Sequence, residues 1–154
     1  MNDHLRHIED LVGKARKSVA FDKLPVPTDK IAEKLGLKIV EFEFPESFSG
    51  VLRKERGVVG VNKNHPLVRR RFTIAHEMGH FILGHDGDSI DEQSDRPMSL
   101  EREANTFASH LLIPTDLVIA SVQKVGLDLK TLAREFGVSE QAMTIRLLEM
   151  NLIK

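Results

Sequence analysis

His76, Glu77 and His80 stand as H-E-x-x-H in a largely apolar run that also holds Ala75, Met78, Gly79, Phe81 and Ile82. On a helix each residue turns about 100°, so positions four apart lie nearly in line. His76 and His80 would therefore present two imidazoles one turn apart to a single metal ion. Glu77 beside them could act on a metal-held water. The chemistry this spacing predicts is hydrolysis by a metal-activated water. Two histidines and a carboxylate in an apolar helix are costly without such a purpose.

A catalytic zinc site takes three protein ligands and leaves a position open. The chain has no cysteine, so a thiolate ligand and a disulfide are both excluded. The extended pattern with a glycine three residues and a histidine six residues after the second His fails, because Leu83 and Asp86 stand there. His85 lies about 140° around a continued helix from His80, or beyond its end, and is a poor ligand. The alternative is a carboxylate from the next helix. There, Ala104, Phe107, Ala108, Leu111 and Leu112 mark an inward face. Glu101 falls within about 50° of its centre and Glu103 about 110° away, toward solvent. Glu101 is thus the expected third ligand, and Asn105, one turn on, could hydrogen-bond a ligating histidine. The His/His/Glu set suits Zn²⁺; Mn²⁺ or Fe²⁺ could occupy it. The chain has no tyrosine, which leaves His110, Arg102 or a water to stabilise an oxyanion.

These residues need elements to hold them. His4 to Lys17 reads as an amphipathic helix, through Leu5, Ile8, Leu11 and Val12. A short helix follows, with Thr28 as N-cap and Gly36 after its end. Val40, Phe42 and Phe44 alternate with Glu41 and Glu43 in a strand stopped by Pro45. Phe48–Arg53 and Val58–Asn62 read as a hairpin. Pro66 opens the long helix carrying the motif, and Gly84 stops it. Asp86–Pro97 is polar and aperiodic, a mobile loop that could gate a cleft. Asp86, Asp88 and Asp91 lack the spacing of a calcium loop. Leu100–Ile113, Asp116–Lys124, Leu129–Phe136 and Ser139–Met150 read as helices. The expected fold is α+β: helices around a small antiparallel sheet, in which Val58–Asn62 could offer an edge to an extended substrate. Residues 1–115 would form the metal-binding domain and 116–154 a helix-turn-helix-like extension packed on it.

The chain resembles the ImmA/IrrE metallopeptidases. The resemblance rests on Ser49-Gly50-Val51, Val59-Gly60-Val61-Asn62, Arg71 through His80, Glu101 through Ala108, Leu111-Leu112-Ile113-Pro114 and Leu132 through Ser139. It departs from the family at His110, where an acidic residue is frequent. It implies a zincin-like, gluzincin-type zinc endopeptidase with Glu77 as base and His76, His80 and Glu101 as ligands. It also implies cleavage of an XRE-type helix-turn-helix repressor, which derepresses stress-response, prophage or mobile-element genes. The competing expectation is a non-catalytic, metal-containing regulatory module that binds a repressor, a toxin–antitoxin partner or DNA.

The overall charge of −1 gives no general attraction to polyanions. DNA affinity rests on neutralising phosphates, and the last helix offers only Arg146. Direct DNA reading is therefore disfavoured. Arg69-Arg70-Arg71 reads as salt bridges and a solvated turn, and His4, His7, His65 and His85 as surface residues. No apolar run approaches the roughly 20 residues of a membrane span, and Met1 to Arg16 is charged throughout with no apolar signal core, so the expected location is the cytoplasm.

Overall fold

The computed structural model describes residues 2–85, 89–90 and 97–154. The expectations for Asp86, Asp88 and Asp91, and for most of the loop between the motif helix and its successor, fall outside these residues. The elements run α1 (Asp3–Lys17), α2 (Thr28–Lys34), β1 (Lys38–Phe42), β2 (Gly50–Arg53), β3 (Val58–Asn62), α3 (Leu67–Ile82), β4 (Ser89–Ile90), α4 (Met98–Leu112), α5 (Thr115–Val125), α6 (Leu129–Phe136) and α7 (Glu140–Glu149).

Local chemistry accounts for most boundaries. Asn2, Asp128 and Ser139 cap α1, α6 and α7 by accepting from the backbone N–H of Leu5, Thr131 and Ala142. Each such cap satisfies one of the donors that a helix start leaves unpaired. Pro66, Pro97 and Pro114 stand at the starts of α3, α4 and α5, where a missing N–H costs nothing. Gly84, Gly126 and Gly137 take positive φ just past helix ends. The cap expected at Thr28 is not made: α2 begins behind Pro27, and the Thr28 hydroxyl donates to the Val26 carbonyl instead.

The sheet order is β1-β3-β2-β4. β2 and β3 form the antiparallel hairpin that the sequence predicts, with Val51 opposite Gly60. β1 runs parallel to β3, with Ile39 opposite Val59, so the sheet is mixed rather than antiparallel throughout. The period-two pattern of β1 is the same for either direction; direction follows from the connection through the loop and β2. β3 is consequently an interior strand with both sides hydrogen-bonded, which removes it as an edge for an added substrate strand.

Leu52, Val59 and Val61 point from the sheet into the core. α3 packs on the same face through Ile74, Ala75 and Met78. Gly50 makes this approach possible: a Cβ there would stand 2.6 Å from Thr73 Cγ2 and 2.7 Å from the Gly60 carbonyl oxygen. α4 packs on α3 and buries Ala104, Phe107, Ala108, Leu111 and Leu112, the face assigned from sequence. α1 covers part of α4 through Ile8, Val12 and Ala15.

The three arginines that open α3 are used internally. Arg70 pairs with Glu41 at 3.0 Å, Arg69 with Glu46 at 3.4 Å, and Arg71 donates to the carbonyls of Gly137 and Val26. No helix among the described residues is long and apolar enough to cross a membrane.

Candidate metal centre

α3 projects His76 and His80 from one face, one turn apart, and α4 brings Glu101 against them. One ligand-type atom from each of the three lies within 4.8 Å of the others. His76 Nε2 is 3.0 Å from Glu101 Oε2, His80 Nε2 is 3.1 Å from Glu101 Oε1, and the two Nε2 atoms are 3.2 Å apart. His76 and His80 are buried, while the Glu101 side chain keeps 24% of its exposure. Glu77 is wholly buried beside His76 on α3.

The outer nitrogens decide what the inner ones offer. A neutral imidazole carries one N–H and one lone pair. His76 Nδ1 lies 2.8 Å from Asn105 Oδ1, an acceptor, so His76 donates there and turns its Nε2 lone pair inward. His80 Nδ1 lies 2.8 Å from His85 Nδ1, and His85 Nε2 lies 3.0 Å from Glu103 Oε1. Glu103, as a carboxylate, only accepts. In a neutral His85 the N–H therefore sits on Nε2, its Nδ1 accepts, and His80 donates from Nδ1. His80 Nε2 then also presents a lone pair.

Two imidazole lone pairs and a carboxylate thus converge on one point, an arrangement that repels itself unless a cation sits among them. A tetrahedral ion with bonds of about 2.0–2.1 Å holds its ligands about 3.3–3.4 Å apart, close to the observed 3.0–3.2 Å. The residues present fit a divalent metal ion.

Asn105 stands where the sequence predicts. Three residues do not. His85 is buried, not at the surface, and Glu103 keeps 21% of its side-chain exposure instead of facing solvent. α3 ends at Ile82, and Gly84 at φ +73° turns the chain so that His85 comes back under His80. Glu103 is shielded by α1, whose His4 Nε2 lies 3.4 Å from Glu103 Oε2. The signal available in the sequence was Gly84 itself, a residue suited to reversing the chain beside the motif. His65 is also buried, with Nε2 2.9 Å from the Glu46 carbonyl oxygen. His4 is exposed, as expected.

A cavity of about 550 Å³ opens beside His76. Phe72, which stacks on the His76 ring at 6.4 Å, and Asn105 form its near wall. Ala142 and Ile145 of α7 form the far one. A second cavity, about 830 Å³, lies between α1, α4 and α7; neither cavity is lined by His76, His80 or Glu101. His110 borders both cavities. Burial, and secondarily the charge of Arg146, push its imidazole down to about 4. Arg102 is exposed.

The family model for peptidase M78, the IrrE N-terminal-like domain, matches residues 32–148. The chain belongs to this family. Membership supports a metallopeptidase-type function, and with the His76/His80/Glu101 group it supports a bound metal ion. No curated protein matches the chain. Among solved structures, this IrrE-like chain is similar to a Mycobacterium tuberculosis transcriptional regulator at 19% identity, with a TM-score of 0.66. The match covers 96% of this chain and 47% of the other, so the chain spans about half the length of that structure. At this identity the likeness shows a shared fold.

Proposed function

We propose that the protein is a zinc-dependent endopeptidase of the cytoplasm that cleaves an XRE-type helix-turn-helix repressor. The observation that carries this reading is the convergence of His76 Nε2, His80 Nε2 and Glu101 beside Glu77. A bound zinc ion would supply Lewis acidity, making a water nucleophilic near neutral pH and polarising the scissile carbonyl. Glu77 is the base: it takes the proton of the attacking water and passes it to the leaving amine. Asn105 orients His76. The cavity walled by Phe72 and Ile145 is separated from His76 by Phe72 and Asn105, which contact that ring, and offers room for substrate side chains.

The extension, 116–154, serves packing or partner docking in this reading. Support comes from Arg146, the one basic residue of α7. It is buried and donates to the Ile113 carbonyl and the Thr115 hydroxyl, so it is committed within the molecule rather than offered to phosphate. Contacts from Arg71 to Gly137 and from Arg146 to Ile113 tie 116–154 to 1–115.

Glu77→Gln tests the mechanism, since it leaves both histidines and removes the base. The zinc-loaded chain and the variant are each incubated with a candidate XRE-type repressor, one encoded beside the gene being the first choice where there is one, and the products are weighed by mass spectrometry. Cleavage by the parent chain and an intact repressor with the variant are expected. A variant that cuts equally well sinks the mechanism. Relief of repression by an uncleaving Glu77→Gln chain would favour the binding-only module.

A further inference from the structure

We propose that His85 is a positioning residue that selects the tautomer and fixes the ring of His80, with Glu103 as the anchor. This deepens the metallopeptidase reading and rests on it. The observation is a chain of short contacts leading away from the metal centre. His80 Nδ1 meets His85 Nδ1 at 2.8 Å, and His85 Nε2 meets Glu103 Oε1 at 3.0 Å. Glu103 Oε2 lies 3.4 Å from His4 Nε2 on α1.

With both imidazoles neutral, the order of protons along this chain has one solution. If His80 carried its proton on Nε2, its Nδ1 would accept from His85 Nδ1. His85 would then turn a bare Nε2 toward a carboxylate 3.0 Å away, placing two acceptors face to face. The carboxylate excludes that state. It holds the His85 proton at Nε2, which leaves His85 Nδ1 an acceptor and draws the His80 proton to Nδ1. The His80 Nε2 lone pair is thereby kept for the metal. His80 and His85 are both buried, so water competes poorly for these bonds.

His76 and His80 are held in different ways. Asn105 fixes His76 with one amide contact from α4. His80 is fixed through an intermediate imidazole from the segment after α3 and a carboxylate from α4 that α1 shelters. Only the end of this chain involves α1, which lies before the family-matched residues, and the His4 contact is exposed and weak. The burden therefore falls on His85 and Glu103.

The test reads zinc affinity by competition with a chromophoric chelator, in the parent chain, His85→Leu, His85→Gln and Glu103→Gln. Leucine fills the space of the buried ring without hydrogen bonds. Glutamine can accept from His80 with its oxygen and donate to Glu103 with its nitrogen. His85→Leu should bind zinc about 10- to 100-fold more weakly, and His85→Gln should recover much of the loss. In metal-free protein labelled with ¹⁵N-histidine, His80 should be the Nδ1–H tautomer in the parent chain and mixed in Glu103→Gln. Equal zinc affinity in His85→Leu and parent overturns the proposal. So does a glutamine variant no better than leucine, which would reduce His85 to packing. If the parent chain itself binds no zinc, the metal reading fails and takes this proposal with it.

Discussion

Gly79 of α3 lies directly against the backbone of Ala104 on α4. A Cβ built on Gly79 would stand 3.1 Å from the Ala104 carbonyl oxygen and 3.1 Å from Phe107 Cβ. This contact sets the spacing of the two helices one residue before His80 and one turn after Glu101. The separations of 3.0 and 3.1 Å from Glu101 to the histidines depend on it.

Gly79→Ala should therefore weaken both fold and site. In an open helix the change would add up to about 1 kcal/mol of stability. Here the neighbours are backbone and the fully buried Phe107, which cannot give way cheaply. Forcing a methyl into such packing costs about 1–3 kcal/mol, so a net loss is expected, accompanied by lower zinc affinity as Glu101 moves off. Gly13 in α1, with nothing within 4 Å of its Cβ position, is the control. Gly13→Ala should hold or raise the unfolding midpoint. A Gly79→Ala protein that is stabilised like the Gly13 variant would refute the close-contact account.

The centre was legible where its geometry is local. His76 and His80 share a face by helical spacing alone, and α3 forms over the expected run. Glu101 was legible at one remove, because the apolar residues of α4 announce which way that helix faces. What escaped was non-local. The parallel pairing of β1 with β3 leaves no mark on a strand's own alternation. His85, expected at the surface, is buried because the chain turns at Gly84 and returns it under His80, a path that local pattern does not specify. Glu103 sits off the inward face as predicted, yet α1 covers that side, and helix-face arithmetic knows nothing of a third helix.

His110 gives a pH signature. Its folded value of about 4 is depressed from the usual 6.5, first by burial and then by Arg146. Glu9 Oε1, 3.3 Å from its Nδ1, pulls the other way, but Glu9 is itself half-exposed and burial prevails. Between these two values the unfolded chain binds a proton that the folded chain refuses. Stability therefore falls as pH drops from about 6.5 to about 4, and this contribution is fully present above 6.5. In His110→Gln that part of the slope should vanish. Urea unfolding of both proteins across this range checks it, and identical slopes would show that His110 is not held neutral.

Metal should stabilise the fold by linkage, since the three ligand atoms meet only in the folded chain. Free zinc at 100 times its dissociation constant contributes about 2.7 kcal/mol. For a chain of this size that is a rise of about 5–10 °C in the unfolding midpoint, reversed by a chelator. Glu101→Ala and His76→Ala should each abolish most of the rise. Glu103→Ala should only reduce it, because Glu103 acts through His85 and His80 rather than touching the ion. Calorimetric scans with and without zinc distinguish these outcomes. A full rise retained in Glu101→Ala would remove Glu101 from the ligand set, leaving the two histidines of α3 to find a third partner elsewhere.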